Sequence, residues 1–261
     1  MEEDLALNEH AAFYETFPYP NHNHYLCECG RIDPKWETPF KSRWSSLKAR
    51  RPLRILVAGC GTIETNIVAR VYPRSDVVGV DLSETSVAVS RRLAALEHKS
   101  NMTWVVADLM LWEPTVTFDI IVATGLIHHV RDSTRLLGRF NRWLDPQGGC
   151  VTGMVYGGED RAAVREGWNL FSDVPRTPDG VEEVRRRMSL LLPEHPMRRW
   201  YDTREQSASE IADTWLNPYY MDYTERSLKQ LLECGGFCGV DTKTVPGKIL
   251  FVATKKGEKT S

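Results

Sequence analysis

Between about residue 53 and residue 155, short apolar runs alternate with stretches whose apolar positions recur at helical spacing. Arg54-Ile55-Leu56-Val57-Ala58 runs into Gly59-Cys60-Gly61, the pattern of a strand buried on both faces that ends in a tight turn. Ile63, Ile67, Val68 and Val71 then fit one helix face. Val77-Val78-Gly79-Val80-Asp81 predicts a second buried strand, and Ser83 is placed to cap a helix carrying Val87, Leu93 and Leu96. Met102–Val106 and Phe118–Ala123 predict a third and a fourth strand. A helix opening at Asp132 or Ser133 presents Leu136, Leu137, Phe140, Trp143 and Leu144 on one side; Pro146-Gln147-Gly148-Gly149 stops it, and Cys150–Val155 predicts a fifth strand. Such alternation implies an α/β fold with a parallel sheet covered on both faces.

The flanks read differently. Residues 1–50 are rich in aromatics, His and Pro and are expected to form an irregular flap, since Pro18 and Pro20 forbid a continuous helix through 13–20. Its rings are expected to close over ligand at the open end of the sheet. Residues 157–223 hold helical segments broken by Pro175, Pro178, Pro193 and Pro196, with Val181, Val184, Met188, Leu191 and Leu192 on one amphipathic face, and are read as a lid. After Thr224 a helix with Leu228, Leu231 and Leu232 ends at Gly235-Gly236. Phe237–Val245 and Lys248–Thr254 are joined so tightly at Pro246-Gly247 that they must form a hairpin. The expected architecture is a doubly wound, mostly parallel seven-stranded sheet with an antiparallel C-terminal edge hairpin. The flap takes 1–50, the cofactor-binding core 51–156, the lid 157–223, and the rest of the core 224–256.

Composition narrows the function classes. Lys+Arg is 33 and Asp+Glu is 35, so no strong field favours nucleic acid or an anionic membrane. No apolar run is long enough to span a membrane, and Met1-Glu2-Glu3-Asp4 does not read as a signal peptide. Six cysteines without a dense framework fit free thiols and a cytoplasmic location. His22, His24, Cys27 and Cys29 resemble a ligand set, but the span is too cramped for an easy tetrahedron and no metal is expected. Cys234 and Cys238 are expected in the core. Arg185-Arg186-Arg187 and Arg198-Arg199 read as a solvated face balanced by Glu182 and Glu183, with reception of an anionic substrate as the alternative.

The chemistry centres on the first βαβ unit. Glycines at 59 and 61 let a ligand approach the backbone, and Asp81, 20 residues after Gly61, stands where an acid accepts ribose hydroxyls. A dinucleotide would want glycine rather than Glu64 three residues after Gly61, and that acid would repel a pyrophosphate at the helix start. A nucleoside ligand without phosphates escapes the objection.

This stretch resembles the class I S-adenosylmethionine-dependent methyltransferases. Ile55-Leu56-Val57-Ala58-Gly59-Cys60-Gly61-Thr62 looks like their first motif and Val78-Gly79-Val80-Asp81-Leu82-Ser83 like their second. Val106-Ala107-Asp108-Leu109 looks like the third, in which Asp108 would bond the adenine amino group. Phe118-Asp119-Ile120-Ile121-Val122, Gly125-Leu126-Ile127-His128-His129-Val130 and Leu144-Asp145-Pro146-Gln147-Gly148-Gly149 look like the later ones. Tyr14-Glu15 through Pro18-Tyr19-Pro20 also looks like a bacterial subgroup of that family.

The resemblance implies S-adenosyl-L-methionine as cofactor, held by Gly59, Cys60, Gly61, Thr62, Asp81, Leu82, Asp108, Leu109, Thr124 and Gly125. Val57 replaces an acid usual in the family and Ile63 a third glycine, so either the loop keeps an ordinary backbone or the methionine end sits differently. His128 and His129 follow the fourth strand and are the candidate bases. Tyr14, Tyr19, Tyr219 and Tyr223 are the candidate substrate contacts. The expected activity is methylation of a small metabolite at oxygen or nitrogen. The alternatives are non-methyl chemistry on the bound cofactor, as in a cyclase or isomerase, and a non-catalytic cofactor-binding protein. Composition leaves the oligomeric state open.

Overall fold

In a computed structural model, residues 2–28, 31–37, 52–97, 100–158, 161–204 and 206–255 are described. The sheet follows the chain's apolar runs: β1 (Arg54–Ala58), β2 (Asp76–Asp81), β3 (Met102–Val106), β4 (Ile120–Thr124), β5 (Cys150–Tyr156), β6 (Phe237–Val245) and β7 (Lys248–Lys255). They stand in the order β3-β2-β1-β4-β5-β7-β6. The five strands β1 to β5 pair in parallel, and β7 runs antiparallel to both β5 and β6. Alternation along β1 explains its apolar run: Leu56 and Ala58 join the cluster on one face, Ile55 and Val57 that on the other. Phe118 makes only a single bridge, to Leu144, so the fourth strand proper begins two residues later than the sequence suggests.

The helices begin where their caps stand. Ser83 Oγ accepts from the Ser86 N–H at 3.0 Å to open α3 (Glu84–Leu96). Asp132 Oδ1 accepts from the Arg135 N–H at 2.9 Å to open α4 (Ser133–Trp143), and Thr224 and Ser227 form a reciprocal capping box at α9 (Glu225–Cys234). Two helices precede these: α1 (Glu2–Thr16) and α2 (Glu64–Val71).

The helix α1 corrects the expectation of an irregular N-terminal flap. The segment is helical up to the residue before Phe17-Pro18, where proline disfavours a helical neighbour. Phe13 and Phe17, each 3% exposed, pack into a second core with residues of α5 (Ala162–Leu170), α6 (Pro178–Leu190), α7 (Pro196–Asp202) and α8 (Ala208–Trp215). The rings fill a hydrophobic seam. The apolar face of α6 ends with Met188; Leu192 is exposed, because the helix has stopped before it. The 157–223 segment leaves and rejoins the sheet at one point, where Gly157 bridges Tyr223 and the Tyr223 N–H donates to the Tyr156 carbonyl at 3.1 Å.

Arg186 and Arg187 are ion-paired with Glu183, and Arg187 also with Asp173, so this cluster satisfies itself on the surface. Cys234 and Cys238 are exposed rather than in the core, because the turn they straddle lies outside the packed face of α9. Cys29, one of the four residues spaced like metal ligands, lies outside the described residues, as do residues 256–261 of the tail.

Candidate active site

The strand order reverses between β1 and β4, and the loops after their C-terminal ends diverge there. This is the crevice in which open α/β sheets bind ligands. A cavity of about 630 Å³ occupies it, within the usual span for small-molecule sites.

The loop after β1 is built around two left-handed glycines, Gly59 at φ 64° and Gly61 at φ 51°. The N–H groups of Gly59 and Cys60 both donate to the Val80 carbonyl, at 2.9 and 3.1 Å, which pins the loop to the end of β2. Ile63 has φ −143°, an ordinary value for a β-branched residue; its side chain packs with Ile67, Leu93 and Ile32. The missing third glycine is thus resolved by a loop that does not need it. Val57 is fully buried among apolar neighbours.

Asp81 lines the cavity from the end of β2. Its Oδ2 accepts from the Gly61 N–H at 2.7 Å and its Oδ1 from the Ser83 N–H at 2.9 Å. Burial pushes its carboxyl above the usual range, and these backbone donors pull the other way. An ionised carboxylate offers about four lone-pair sites, so two remain for a pair of hydroxyls. Asp108 Oδ1 accepts from the Met110 N–H at 2.8 Å, which fixes the carboxyl at the cavity wall. Gly59, Cys60, Gly61, Leu82, Leu109, Thr124 and Gly125 also line it. Gly125, at φ 74°, has nothing within 4 Å of where a Cβ would stand, so its backbone lies open. Thr124 Oγ1 is buried with no hydrogen-bond partner among the described residues. A nucleoside-sized ligand with a diol and an amino group fits beside these carboxylates: Asp81, Asp108 and the bare Gly125 backbone are all on the cavity wall.

Thr62 is the exception among the expected cofactor contacts. It does not line the cavity; its Oγ1 donates to the Pro20 carbonyl at 2.6 Å and its N–H to the Tyr19 carbonyl at 3.1 Å. Thr62 therefore straps the N-terminal segment onto the glycine loop. Gly61 is required by the same strap, because a Cβ there would stand 2.4 Å from the Tyr19 carbonyl. Glu15 completes the attachment: its carboxylate accepts from the Thr85 hydroxyl and N–H at the start of α3.

The cavity wall also carries aromatic and polar side chains. Tyr14 and Tyr19 line it as expected, and Tyr156 joins them, its hydroxyl 3.5 Å from that of Tyr19. Tyr219 and Tyr223 do not line it. Tyr223 is 5% exposed in the main core, its hydroxyl 3.3 Å from Ser133 Oγ. The Tyr219 ring lies under the Arg131 guanidinium, 5.2 Å away, and contributes through its backbone.

The two histidines separate. His128 is fully buried and does not line the cavity; its Nδ1 accepts from the Tyr156 N–H at 3.3 Å and its ring packs 4.4 Å from that of Tyr156. That contradicts its candidacy as a base: it lies behind Tyr156 as packing. His129 does line the cavity. Its Nδ1 lies 2.9 Å from the Tyr219 carbonyl, which can only accept, so Nδ1 carries the proton and the neutral ring keeps its lone pair on Nε2. Burial lowers the His129 pKa to about 4, so the ring is neutral at neutral pH.

Asp213, in α8, was not singled out by the sequence. It is 3% exposed and lines the cavity, with its Oδ1 3.7 Å from His129 Nε2. The Tyr14 hydroxyl donates to that oxygen at 2.9 Å and Asn217 Nδ2 donates at 3.3 Å. Burial raises its carboxyl to about 6. A signal was present: an acid inside Ile211-Ala212-Asp213-Thr214-Trp215-Leu216, where the helical pattern wants an apolar residue, with an amide four residues on.

Comparison with known proteins agrees with this geometry. Residues 56–150 match a family profile described as "Methyltransferase domain". The chain is 35% identical over 100 residues to phosphoethanolamine N-methyltransferase 3 of Arabidopsis thaliana, a match covering 36% of this chain and 19% of that protein. It is 32% identical over 98 residues to trans-aconitate 2-methyltransferase of an Acidovorax species, covering 37% of this chain and 36% of that one. The chain thus spans well under half the length of these relatives. Its fold is shared with the 1,6-didemethyltoxoflavin-N1-methyltransferase of Burkholderia thailandensis, solved with S-adenosylhomocysteine and 1,6-didemethyltoxoflavin bound. There the TM-score is 0.57 at 18% identity, covering 98% of this chain and 90% of that chain. The motifs after β1, β2 and β3 and the reversal at β1 and β4 thus fall in residues 56–150, the stretch that matches a methyltransferase domain.

Proposed function

We propose that this protein transfers a methyl group from S-adenosylmethionine to oxygen or nitrogen of a small organic acceptor. The observation that carries the reading is a single cavity whose wall holds both the carboxylates Asp81 and Asp108 and a polar, aromatic group made of Tyr14, Tyr19, Tyr156, His129 and Asp213.

When bound, the cofactor supplies a methyl group already activated by its sulfonium. Asp81 would hold the ribose hydroxyls through its uncommitted lone pairs, and Asp108 the adenine amino group. Cys60, Leu82 and Leu109 would pack around the nucleoside, with the open Gly125 backbone on the same cavity wall. The protein's remaining work is to orient the acceptor and exclude water. His129, neutral with Nε2 unprotonated, accepts a hydrogen bond from the acceptor's N–H or O–H and so turns its lone pair. Its lowered pKa suits it better to orienting than to abstracting a proton. Tyr14 and Tyr19 close the acceptor end, held there by Thr62 and Asp213.

No helix among the described residues is long and apolar enough to cross a membrane. Cys60, Cys150, Cys234 and Cys238 are thiols, which supports a cytoplasmic location, and the near-neutral charge supports a small-molecule rather than a nucleic-acid partner. Incubation with the cofactor and a fractionated metabolite extract tests the reading. S-adenosylhomocysteine should accumulate together with a product one methylene heavier than an extract component. Consumption of cofactor without a methylated product would favour non-methyl chemistry; binding without consumption would favour a non-catalytic role.

A further inference from the structure

Asp213 is the only described residue of the 157–223 segment that lines the cavity, and its two oxygens are used unequally. Oδ1 gathers the Tyr14 hydroxyl, Asn217 Nδ2 and the approach of His129 Nε2. Oδ2 receives no hydrogen bond from any described residue, although the side chain is 3% exposed. Arg161, the guanidinium stacked 4.0 Å over the Tyr156 ring, is directed instead to Asp222, 3.6 Å away. Asp213 lines the cavity, so its Oδ2 is an open acceptor that a ligand bearing a donor can satisfy.

A second acceptor stands near the same carboxylate, His129 Nε2 lying 3.7 Å from its Oδ1. The Tyr219 carbonyl fixes the proton of His129 on Nδ1, so Nε2 presents a lone pair to the same space. Two acceptors side by side match a group with two donors. A hydroxyl has one hydrogen and can satisfy one of them; a carboxylate has none and is repelled by Asp213. A primary amine has two N–H bonds and still keeps a lone pair uncommitted.

We propose that the acceptor is a primary amine, its two N–H groups held by Asp213 Oδ2 and His129 Nε2. The inference rests on the methyltransferase reading and names its substrate class. Alkylation of the lone pair leaves the nitrogen cationic with both N–H groups in place, and Asp213 faces that charge while the rings of Tyr14, Tyr19 and Tyr156 border it. Asn217 and the Tyr14 hydroxyl are positioning groups: by occupying Oδ1 they turn Oδ2 to the ligand.

The test uses the full chain saturated with S-adenosylhomocysteine. Its probes are a set of aryl and alkyl primary amines, each paired with its alcohol and its N,N-dimethyl counterpart, read by saturation-transfer NMR. The best primary amine should bind at least about tenfold tighter than both counterparts. Asp213→Asn, whose amide oxygen can still accept from Tyr14, should erase the difference and leave S-adenosylhomocysteine affinity unchanged. If no primary amine exceeds its counterparts in the parent protein, or if the preference survives in Asp213→Asn, the inference fails. Failure of S-adenosylhomocysteine to bind the parent protein would instead overturn the cofactor reading beneath it.

Discussion

Replacing Asp81 by Ala should damage stability and cofactor affinity by separable amounts. In the folded protein the Asp81 carboxylate accepts one N–H from Gly61 and one from Ser83, and Ser83 is fully buried. Leaving the Ser83 N–H unpaired costs about 1–3 kcal/mol, and losing the half-buried Gly61 bond about 0.5–1.5 kcal/mol. The sum of about 2–4 kcal/mol should lower Tm by roughly 4–16 °C for a chain of this size. Affinity falls further, because the variant also loses the two acceptor sites facing the cavity. Hydrogen bonds to a charged group contribute about 1.5–3 kcal/mol each, so loss of two weakens cofactor binding by about a hundredfold or more. Calorimetric titration with S-adenosylhomocysteine, well below the variant's Tm, measures this directly. A variant that loses thermal stability but binds within about threefold of the parent, less than 1 kcal/mol apart, would refute the ribose role and leave Asp81 a purely structural carboxylate.

Three further outcomes follow from the same contacts. Gly61→Ala places a Cβ 2.4 Å from the Tyr19 carbonyl at a left-handed φ, so it should cost about 1–2 kcal/mol of backbone strain and lift the Tyr19-Pro20 strap; amide exchange at Thr62 should quicken, and unchanged protection would count against the strap. Deleting residues 1–17 removes Phe13 and Phe17 from the second core, about 1.5–3 kcal/mol each, so the protein should lose cooperative unfolding of that core and aggregate; a stable, inactive truncation would restore the view of a detachable flap. His129→Gln should change the pH dependence of stability. The Asp213 pKa is raised from 3.8 to about 6, so its contribution is present at low pH and lost as pH rises toward about 6; the His129 pKa is lowered from 6.5 to about 4, so its contribution grows over nearly the same interval. Removing the His129 contribution should make the variant's stability fall more steeply, or rise less, than the parent's as pH goes from about 4 to 6, and urea titrations giving equal slopes would contradict this.

The sheet was legible because its strands are buried on both faces, which forces continuous apolar runs such as Ile55–Ala58 and Val77–Val80. Caps at Ser83, Asp132 and Thr224 were legible because only a few side chains can bond the first free N–H groups of a helix. The helix α1 was not, because its Phe13, like Phe17 just after it, serves a partner distant in sequence and two prolines lie just beyond. Site residues on the sheet's C-terminal edge could be placed by their distance from a strand end. Those supplied by the 157–223 segment could not: Tyr219 and Tyr223 carry the right side chains but point elsewhere, while Asp213 reaches the cavity only through the packing of α8. His128 and His129 are adjacent in sequence, and only the short turn after β4 decides that the second faces the cavity.

The central claim is that the crevice between the β1 and β4 loops is a methyl donor's site with an acceptor's site adjoining it. The most direct measurement is crystallography of the full chain grown with S-adenosylhomocysteine. The account predicts density for the nucleoside with its ribose hydroxyls on Asp81, its adenine amino group on Asp108, and its sulfur turned toward His129 and Asp213. Density lying elsewhere, or a sulfur turned away from His129, would contradict it.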